Sequence, residues 1–262
     1  MHNEDTVKNL EAKLAITTEE LNRLKSSYDD FIHLAAHDLQ APVRKITTLL
    51  DRFILKTKDK IPEEAVQYLD RINNGLEQMT SMVNDITQLS QIKSSPEKYV
   101  AVDLNDLLTE VLRSIHVVVE KNEAKISFTH MPVLNGNKEE LKKLFSELLI
   151  NSIKFRKPED FPIINVDYSR INEEEKIIFG LPTNEIYAKI TVKDNGMGFD
   201  PSQQDKVLKP FLRLNGNSSH KGNGMGLAIC KKIVETHSGI LFLAAKINEG
   251  TICTIILPEI QI

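Results

Sequence analysis

The feature that most restricts this chain is an apolar repeat within its first 31 residues. Apolar side chains recur there at alternating intervals of three and four residues, which is the heptad pattern of a coiled coil. The positions are Val7, Leu10, Leu14, Thr17, Leu21, Leu24, Tyr28 and Phe31, and only Thr17 breaks the apolar rule. Because such a stripe is too narrow to cover a globular core, we expect residues 1–30 to form a coiled-coil helix that pairs with a second copy of the chain. The alternative is one amphipathic helix that packs on its own domain.

Helical periodicity continues beyond this repeat in two segments. Apolar residues recur with helical spacing from Val43 to Ile54 and from Ala65 to Leu89, and the segment KTKDKIPEE separates the two runs. We therefore predict a helical hairpin over residues 31–93, with a kink at Pro42. Two hairpins from two subunits would form a dimeric four-helix bundle. Residues 94–99 combine turn formers with a proline and are predicted to be a linker.

The pattern changes at Val100. A helical run from Leu104 to Ile115 is followed by short alternating runs at Lys125–Thr129, Ile163–Arg170 and Ile186–Lys193, and then by a final pair of strands. Such a mixture predicts an α+β domain over residues 100–262, and an α+β class for the whole chain.

A histidine followed by a carboxylate lies in the segment FIHLAAHDLQAPVR. The imidazole of His37 can act as a nucleophile near neutral pH, and Asp38 can orient the ring and take its proton. This pair is our candidate for covalent catalysis, although a His-Asp pair on a helix is often only a solvated surface pair.

Three more segments carry groups suited to a nucleotide. Glu147, Asn151 and Lys154 recur at helical spacing and share one face, where they could coordinate Mg²⁺ and reach phosphates. Asp194-Asn195-Gly196-Met197-Gly198 and Gly222-Asn223-Gly224-Met225-Gly226-Leu227 are rich in glycine, and the second opens into an apolar helical run. Backbone amides at such a helix start favour anions. Neither segment has the P-loop pattern.

Together these segments resemble the sensor histidine kinases of two-component signalling, from about Phe31 to Pro258. FIHLAAHDLQAPVRKI resembles the phosphoacceptor box of that family, and ELLINSIKF resembles its magnesium-binding helix. VKDNGMGF and GNGMGLAICKKIVETHSGI resemble its two glycine boxes, and KPFLRL is similar to its lid segment. The resemblance implies a two-layer α/β sandwich that binds ATP and Mg²⁺, with a mobile lid at about residues 200–223.

The resemblance also implies roles for individual residues. His37 would be phosphorylated, with Asp38 as general base, and the phosphate would pass to an Asp of a response-regulator receiver domain. Asp194 would bind the adenine amino group, and Asn151 would ligate Mg²⁺ with Glu147 near it. The other nucleotide-binding residues would be Lys154, Gly196, Gly198, Arg213, Gly222, Gly224, Gly226 and Leu227.

Two residues depart from the family pattern. Ala41 stands where many members have Thr or Asn, and because its side chain forms no hydrogen bonds we expect weak phosphatase activity on the partner. Glu147 stands where many members have Asn, whereas related ATPases have a water-activating Glu. Slow futile ATP hydrolysis is therefore one hypothesis, beside a metal-binding or structural role.

Two other functions remain as alternatives. An ATPase or protein-serine kinase could share the nucleotide fold, but such proteins lack the hairpin that carries His37. A degenerate kinase could serve as a dimeric scaffold, but the presence of His37, Asn151 and Asp194 argues against it.

Composition limits the partners and the compartment. A net charge of -4 argues against nucleic-acid binding, and the two cysteines lie in apolar runs with no disulfide or zinc spacing. No run approaches the roughly 18 apolar residues of a membrane span. We expect a soluble cytoplasmic homodimer, with no upstream sensor domain in this chain. It could also be the cytoplasmic part of a larger or membrane-anchored receptor.

Overall fold

The computed structural model describes residues 2–57, 61–93, 96–212, 214 and 223–260, in two compact units. The first unit, Met1–Gln91, is helical, and the second, Ile92–Ile262, combines helices with a sheet. The expected α+β class is confirmed. Among the described residues, no helix is both long enough and apolar enough to cross a membrane.

The first unit is a hairpin of helix α1 (His2–Thr57) and helix α2 (Glu63–Gln91). Helix α1 continues through Pro42. The two helices pack against each other, and their buried apolar side chains are Ala36, Val43, Leu76 and Val83. Polar contacts also join the two helices, and in one of them Nε2 of Gln40 donates to Oδ1 of Asn84 at 3.2 Å.

The heptad positions of α1 whose side chains are described are exposed in the single chain. Leu24, in the middle of the repeat, is 70% exposed. The other large apolar side chains of the repeat for which exposure is described are also exposed: Leu14, Leu21, Tyr28 and Phe31. Because α2 does not cover this stripe, the alternative of a helix packed on its own domain receives no support from the described side chains.

The second unit is built on a five-stranded sheet with the strand order β2-β4-β5-β7-β6. Its strands are β2 (Lys125–Phe128), β4 (Ile163–Arg170), β5 (Tyr187–Asp194), β6 (Ile240–Lys246) and β7 (Gly250–Pro258). The β2-β4 pair is parallel and the other pairs are antiparallel. A separate antiparallel pair consists of β1 (Val100–Asp103) and β3 (Val133–Gly136).

The helices of this unit are α3 (Leu104–Ser114), α4 (His116–Lys121), α5 (Lys138–Lys154), α6 (Glu173–Phe179) and α7 (Gly226–Thr236). Helix α5 packs against α3, α7 and β5. Side-chain caps explain where several helices begin, since a capping oxygen satisfies amides that the first turn leaves free. Asp103 caps α3, Asn137 caps α5, and Asn172 forms a capping box with Glu175 at α6.

The predicted elements of this unit are present, with ends shifted by one residue in three cases. The first is the strand expected at Lys125–Thr129, which is β2 at Lys125–Phe128. The helix expected from Leu104 to Ile115 ends at Ser114, and the strand expected at Ile186–Lys193 is β5 at Tyr187–Asp194. The short helices α4 and α6 and the β1-β3 pair were not predicted, because each has too few residues to show a clear period. Cys230 and Cys253 are buried and unpaired, and burial raises the pKa of the Cys253 thiol to about 12.

Candidate active site

His37 lies on α1 with its side chain open to solvent. The side chains of His37 and Asp38 are 74% and 85% exposed, and Nδ1 of His37 lies 3.6 Å from Oδ1 of Asp38. This distance is beyond a direct hydrogen bond, but the carboxylate favours a proton on the nearer ring nitrogen, Nδ1. Nε2 then carries the lone pair. It has no hydrogen-bond partner among the described residues.

The polar stripe of α5 forms one wall of the candidate nucleotide site. Glu147 and Asn151 lie on consecutive turns, and Oε1 of Glu147 pairs with Nζ of Lys143 at 2.7 Å. Lys154, the last residue of α5, places Nζ 4.9 Å from the centroid of the Phe155 ring. The expected stripe is therefore present, and Lys143 is an additional charge beside it.

The first residue of α7 lies against this stripe. A Cβ atom placed on Gly226 would lie 2.7 Å from Oε2 of Glu147 and 3.3 Å from Nδ2 of Asn151. A larger side chain at this position would therefore collide with the stripe. Helix α7 begins after Met225, which makes no side-chain cap, so its first amides are available for an anion. The structure thus brings Glu147, Asn151 and Gly226 together, and Leu227 follows in the first turn of α7.

Asp194 ends β5 and is held by three donors. Its Oδ1 accepts hydrogen bonds from the amides of Gly196 at 2.9 Å and Thr251 at 3.0 Å. Its Oδ2 lies 3.2 Å from the hydroxyl of Ser152. Burial raises the pKa of Asp194, and these hydrogen bonds act in the opposite direction because they favour the ionised form. A carboxylate has about four acceptor sites, so one can still receive a ligand N–H.

Several glycines of the two glycine-rich segments lie very close to the backbone of neighbouring segments. Gly196 is buried beside the carbonyl of Phe155, and Gly198 lies against the backbone of Lys246. Leu212, in the middle of the expected lid, lies against the residue that follows the lid, because a Cβ placed on Gly224 would lie only 2.7 Å from the carbonyl oxygen of Leu212. Only glycine tolerates this approach together with the φ of 71° found there.

Two predicted residues of the lid lie outside the described residues. They are Arg213 and Gly222, both expected above to bind the nucleotide. The described part of the segment includes Phe211, which is 50% exposed and has a positive φ of 62°.

Sequence reasoning missed three residues that contact the predicted site. The position of Ser152 next to Asn151 on a predicted helix could have indicated that it lies near the site. The spacing does not show that its hydroxyl points toward Asp194. Lys143 precedes Glu147 by four residues, which is the spacing of a helical ion pair. Nothing in the sequence around Thr251 indicates its contact with Asp194, because the pairing of β7 with β5 in the sheet brings these two residues together.

Family comparisons agree with this geometry. Residues 136–261 match the family described as histidine kinase-, DNA gyrase B-, and HSP90-like ATPase. Residues 14–95 match the His Kinase A (phospho-acceptor) domain. The second unit is therefore an ATPase-type nucleotide domain, and the first is a phosphoacceptor hairpin. The chain belongs to the sensor histidine kinases of two-component signalling.

Curated relatives are similar over most of this chain. It is 26% identical over 246 residues to Cyanobacterial phytochrome A of Nostoc sp., covering 94% of this chain and 30% of that protein. It is 27% identical over 239 residues to Phytochrome-like protein Cph1 of Synechocystis sp., covering 91% of this chain and 30% of that protein. The chain thus spans about a third of the length of these relatives.

A solved structure shares the fold. Full-length ShkA, crystallised in complex with AMPPNP, has a TM-score of 0.63 at 16% identity and covers 89% of this chain and 46% of its own. At this identity the likeness concerns the fold alone.

Proposed function

We propose that this chain transfers the γ-phosphate of ATP to His37 and then to an Asp of a response-regulator receiver domain. The observation that carries the proposal is the exposed His37 ring, with Nδ1 facing Asp38 and Nε2 open to solvent. Nε2 forms the new bond to the γ-phosphorus while the bond to the bridging oxygen breaks and ADP leaves. Asp38 stabilises the resulting imidazolium and accepts its Nδ1 proton. The phosphoryl group then passes from Nε2 to a carboxylate oxygen of the partner.

The second unit supplies the proposed nucleotide site. Asp194 has an acceptor position left for the adenine amino group after its three internal donors are counted. The uncapped first turn of α7 is suited to the phosphates, with Gly224 and Gly226 allowing the backbone to approach closely. Lys154 and Arg213 remain proposed phosphate ligands.

The residues beside α7 fit Mg²⁺ by donor type. The carboxylate of Glu147 and the amide oxygen of Asn151 are the oxygen donors that Mg²⁺ prefers, and this ion commonly takes only one or two protein ligands. No cluster of three or more metal-ligating side chains occurs within the described ranges, which is consistent with an ion held largely by water and phosphate. The ion would offset negative charge on the phosphates.

We also propose that the active form is a homodimer in which the exposed apolar stripe of α1 pairs with its copy. Leu14, Leu21, Leu24, Tyr28 and Phe31 have no cover in the single chain, although they follow the heptad repeat of a coiled coil. Residues 1–30, 31–93, 94–99 and 100–262 remain our proposed signalling helix, phosphoacceptor hairpin, linker and catalytic domain.

The decisive experiment is incubation with γ-labelled ATP and Mg²⁺, followed by acid and alkali treatment. We expect acid-labile, alkali-stable label on the chain and on a His116→Gln control, and no label on His37→Gln. His116 is a suitable control because it is exposed, and the contact described for its Nδ1 is with the carbonyl oxygen of Arg113 in the preceding helix. Label of unchanged amount on His37→Gln would show that another residue is the acceptor.

A further inference from the structure

A second histidine lies one helical turn before the proposed phosphoacceptor. His33 and His37 are four residues apart within α1, so their side chains share one face with Cβ atoms about 6 Å apart. Helical side chains lean toward the N-terminus of the helix, so the His37 side chain leans toward the turn that carries His33. Two histidines at this spacing on a helix form a common pair of ligands for a transition metal.

The hydrogen bonds of His33 define its tautomer. Nδ1 of His33 lies 3.2 Å from Oγ of Ser90, and that hydroxyl donates its single proton to the carbonyl oxygen of Thr87 at 2.8 Å. Nδ1 must therefore be the donor in its contact with Ser90, and the lone pair of neutral His33 lies on Nε2. Ser90 is only 3% exposed, so this contact is shielded from water.

In His37 the corresponding contact, with Asp38, is longer and lies beyond hydrogen-bond distance. Its Nδ1 faces the carboxylate of Asp38, which leaves the lone pair on Nε2. Both rings thus have Nδ1 directed at an oxygen and Nε2 available, which is how metal-binding histidines are usually oriented by their outer partners. Neither Nε2 atom has a hydrogen-bond partner in the part of the chain that the structure describes.

We propose that His33 and His37 form a binding site for a divalent transition-metal ion, of which Zn²⁺ is the probe of choice. Imidazole nitrogen suits Zn²⁺ and Ni²⁺, whereas Mg²⁺ takes oxygen ligands and does not compete. Two imidazoles supply two of the four ligands of a tetrahedral ion, and water would supply the others.

Occupation of this site has a consequence for phosphate transfer, and this part rests on the proposed function. Nε2 of His37 has one lone pair, which cannot bind a metal and attack phosphorus at the same time. Zn²⁺ at the pair therefore blocks phosphorylation of His37, and a phosphoryl group on Nε2 removes one of the two metal ligands. Binding of the metal and phosphorylation are mutually exclusive.

The test is calorimetric titration of the nucleotide-free chain with Zn²⁺ at neutral pH. We expect His33→Gln and His37→Gln each to weaken binding about tenfold or more, and Ser90→Ala to weaken it about tenfold by releasing the His33 ring. His116→Gln removes an exposed histidine elsewhere and should bind Zn²⁺ as the original chain does. Because His37 is exposed, its variant remains informative even if changes at His33 or Ser90 disturb the hairpin.

Equal Zn²⁺ affinity in the original chain and in His37→Gln would overturn the proposal. A second experiment measures incorporation of label from ATP with Mg²⁺ in excess and Zn²⁺ increasing. We expect inhibition at Zn²⁺ concentrations that are about tenfold higher for His33→Gln than for His116→Gln. If neither the original chain nor any variant incorporates label, the proposed kinase function is wrong. The calorimetric titration still shows whether His33 and His37 bind the metal.

Discussion

Nε2 of His237 accepts a hydrogen bond from the backbone amide of Asn137 at 3.0 Å, which joins the end of α7 to the beginning of α5. The ring is buried, and its Nδ1 donates to the carbonyl oxygen of Ile233 at 2.8 Å. It also stacks on Tyr99, with ring centroids 4.7 Å apart. The opposite ends of the same two helices carry Asn151 and Gly226. This contact therefore helps to hold the two helices in position at the end away from the candidate nucleotide site.

His237→Phe tests this contact, because the change keeps a ring against Tyr99 but removes both nitrogens. The partly buried amide of Asn137 would then lose its partner, which costs about 1 kcal/mol in the free energy of unfolding. Urea denaturation followed by circular dichroism measures the loss. His116→Gln, an exposed change, should leave the free energy unchanged.

The same variant should alter the pH dependence of stability. Burial lowers the pKa of His237, so near pH 6.5 the unfolded chain binds more protons than the folded one. His237 therefore stabilises the fold above pH 6.5, and this contribution is lost as pH falls toward the folded pKa. Burial raises the pKa of Glu140, whose Oε2 lies 3.8 Å from Nδ1, so its contribution has the opposite sign and is lost as pH rises. Unchanged slopes between pH 5 and 7 in His237→Phe would contradict this account.

Ser152→Ala should weaken nucleotide binding through its effect on Asp194, without removal of a group that contacts the nucleotide. The hydroxyl of Ser152 stabilises ionised Asp194, so its removal raises the pKa of Asp194 further. We expect the fall in ATP affinity at low pH to begin at a higher pH in the variant, and fluorescence titration with a labelled ATP analogue across pH measures it. Ser114→Ala is a matched control, since that hydroxyl contacts only Val111 on its own helix. A purely structural role would lower affinity equally at every pH.

The helices and strands that could be predicted from the sequence are those long enough to show a clear apolar repeat. The site residues that could be predicted are those that belong to contiguous motifs. Asn151 and Gly226 were predicted because each lies in a short segment with its own pattern. Thr251 was not, because its contact with Asp194 depends on the pairing of β5 with β7, which the sequence does not specify locally. The contact of His237 with Asn137 was missed for the same reason, since 100 residues separate its partners.

Gly226→Ala should impair nucleotide binding by steric conflict. The added methyl group would lie 2.7 Å from Oε2 of Glu147, so the carboxylate of Glu147 must turn away from the start of α7. Because Glu147 is a proposed ligand of Mg²⁺, we expect this displacement to lower ATP affinity in the presence of Mg²⁺ about tenfold. Gly75→Ala is the matched control, because that glycine lies inside α2 with nothing within 4 Å of the added atom. Equal ATP affinity in Gly226→Ala and in the original chain would contradict this conflict.

Leu24→Glu should dissociate the proposed dimer. Leu24 occupies the apolar repeat of α1 and is 70% exposed in the single chain, so a charge there would be buried between two copies. Sedimentation should show a dimer dissociation constant raised by at least about tenfold. Ile178→Glu changes an equally exposed residue, 77% exposed on α6, and should leave the dimer intact. Dissociation by both changes would mean that the stripe of α1 is not the specific interface.

Glu147 should support slow ATP hydrolysis when His37 is absent. Its Oε2 faces the start of α7, where we place the phosphates, while Lys143 holds the other oxygen at 2.7 Å. This arrangement orients a carboxylate that could accept a proton from water. Such a base contributes about a hundredfold or more to a rate, so we expect turnover of the His37→Gln protein to fall by about that factor on adding Glu147→Gln. Glu139→Gln, in the first turn of the same helix, is the control. Unchanged turnover in the Glu147 variant, with ATP still bound, would leave this residue only a metal-binding or structural role.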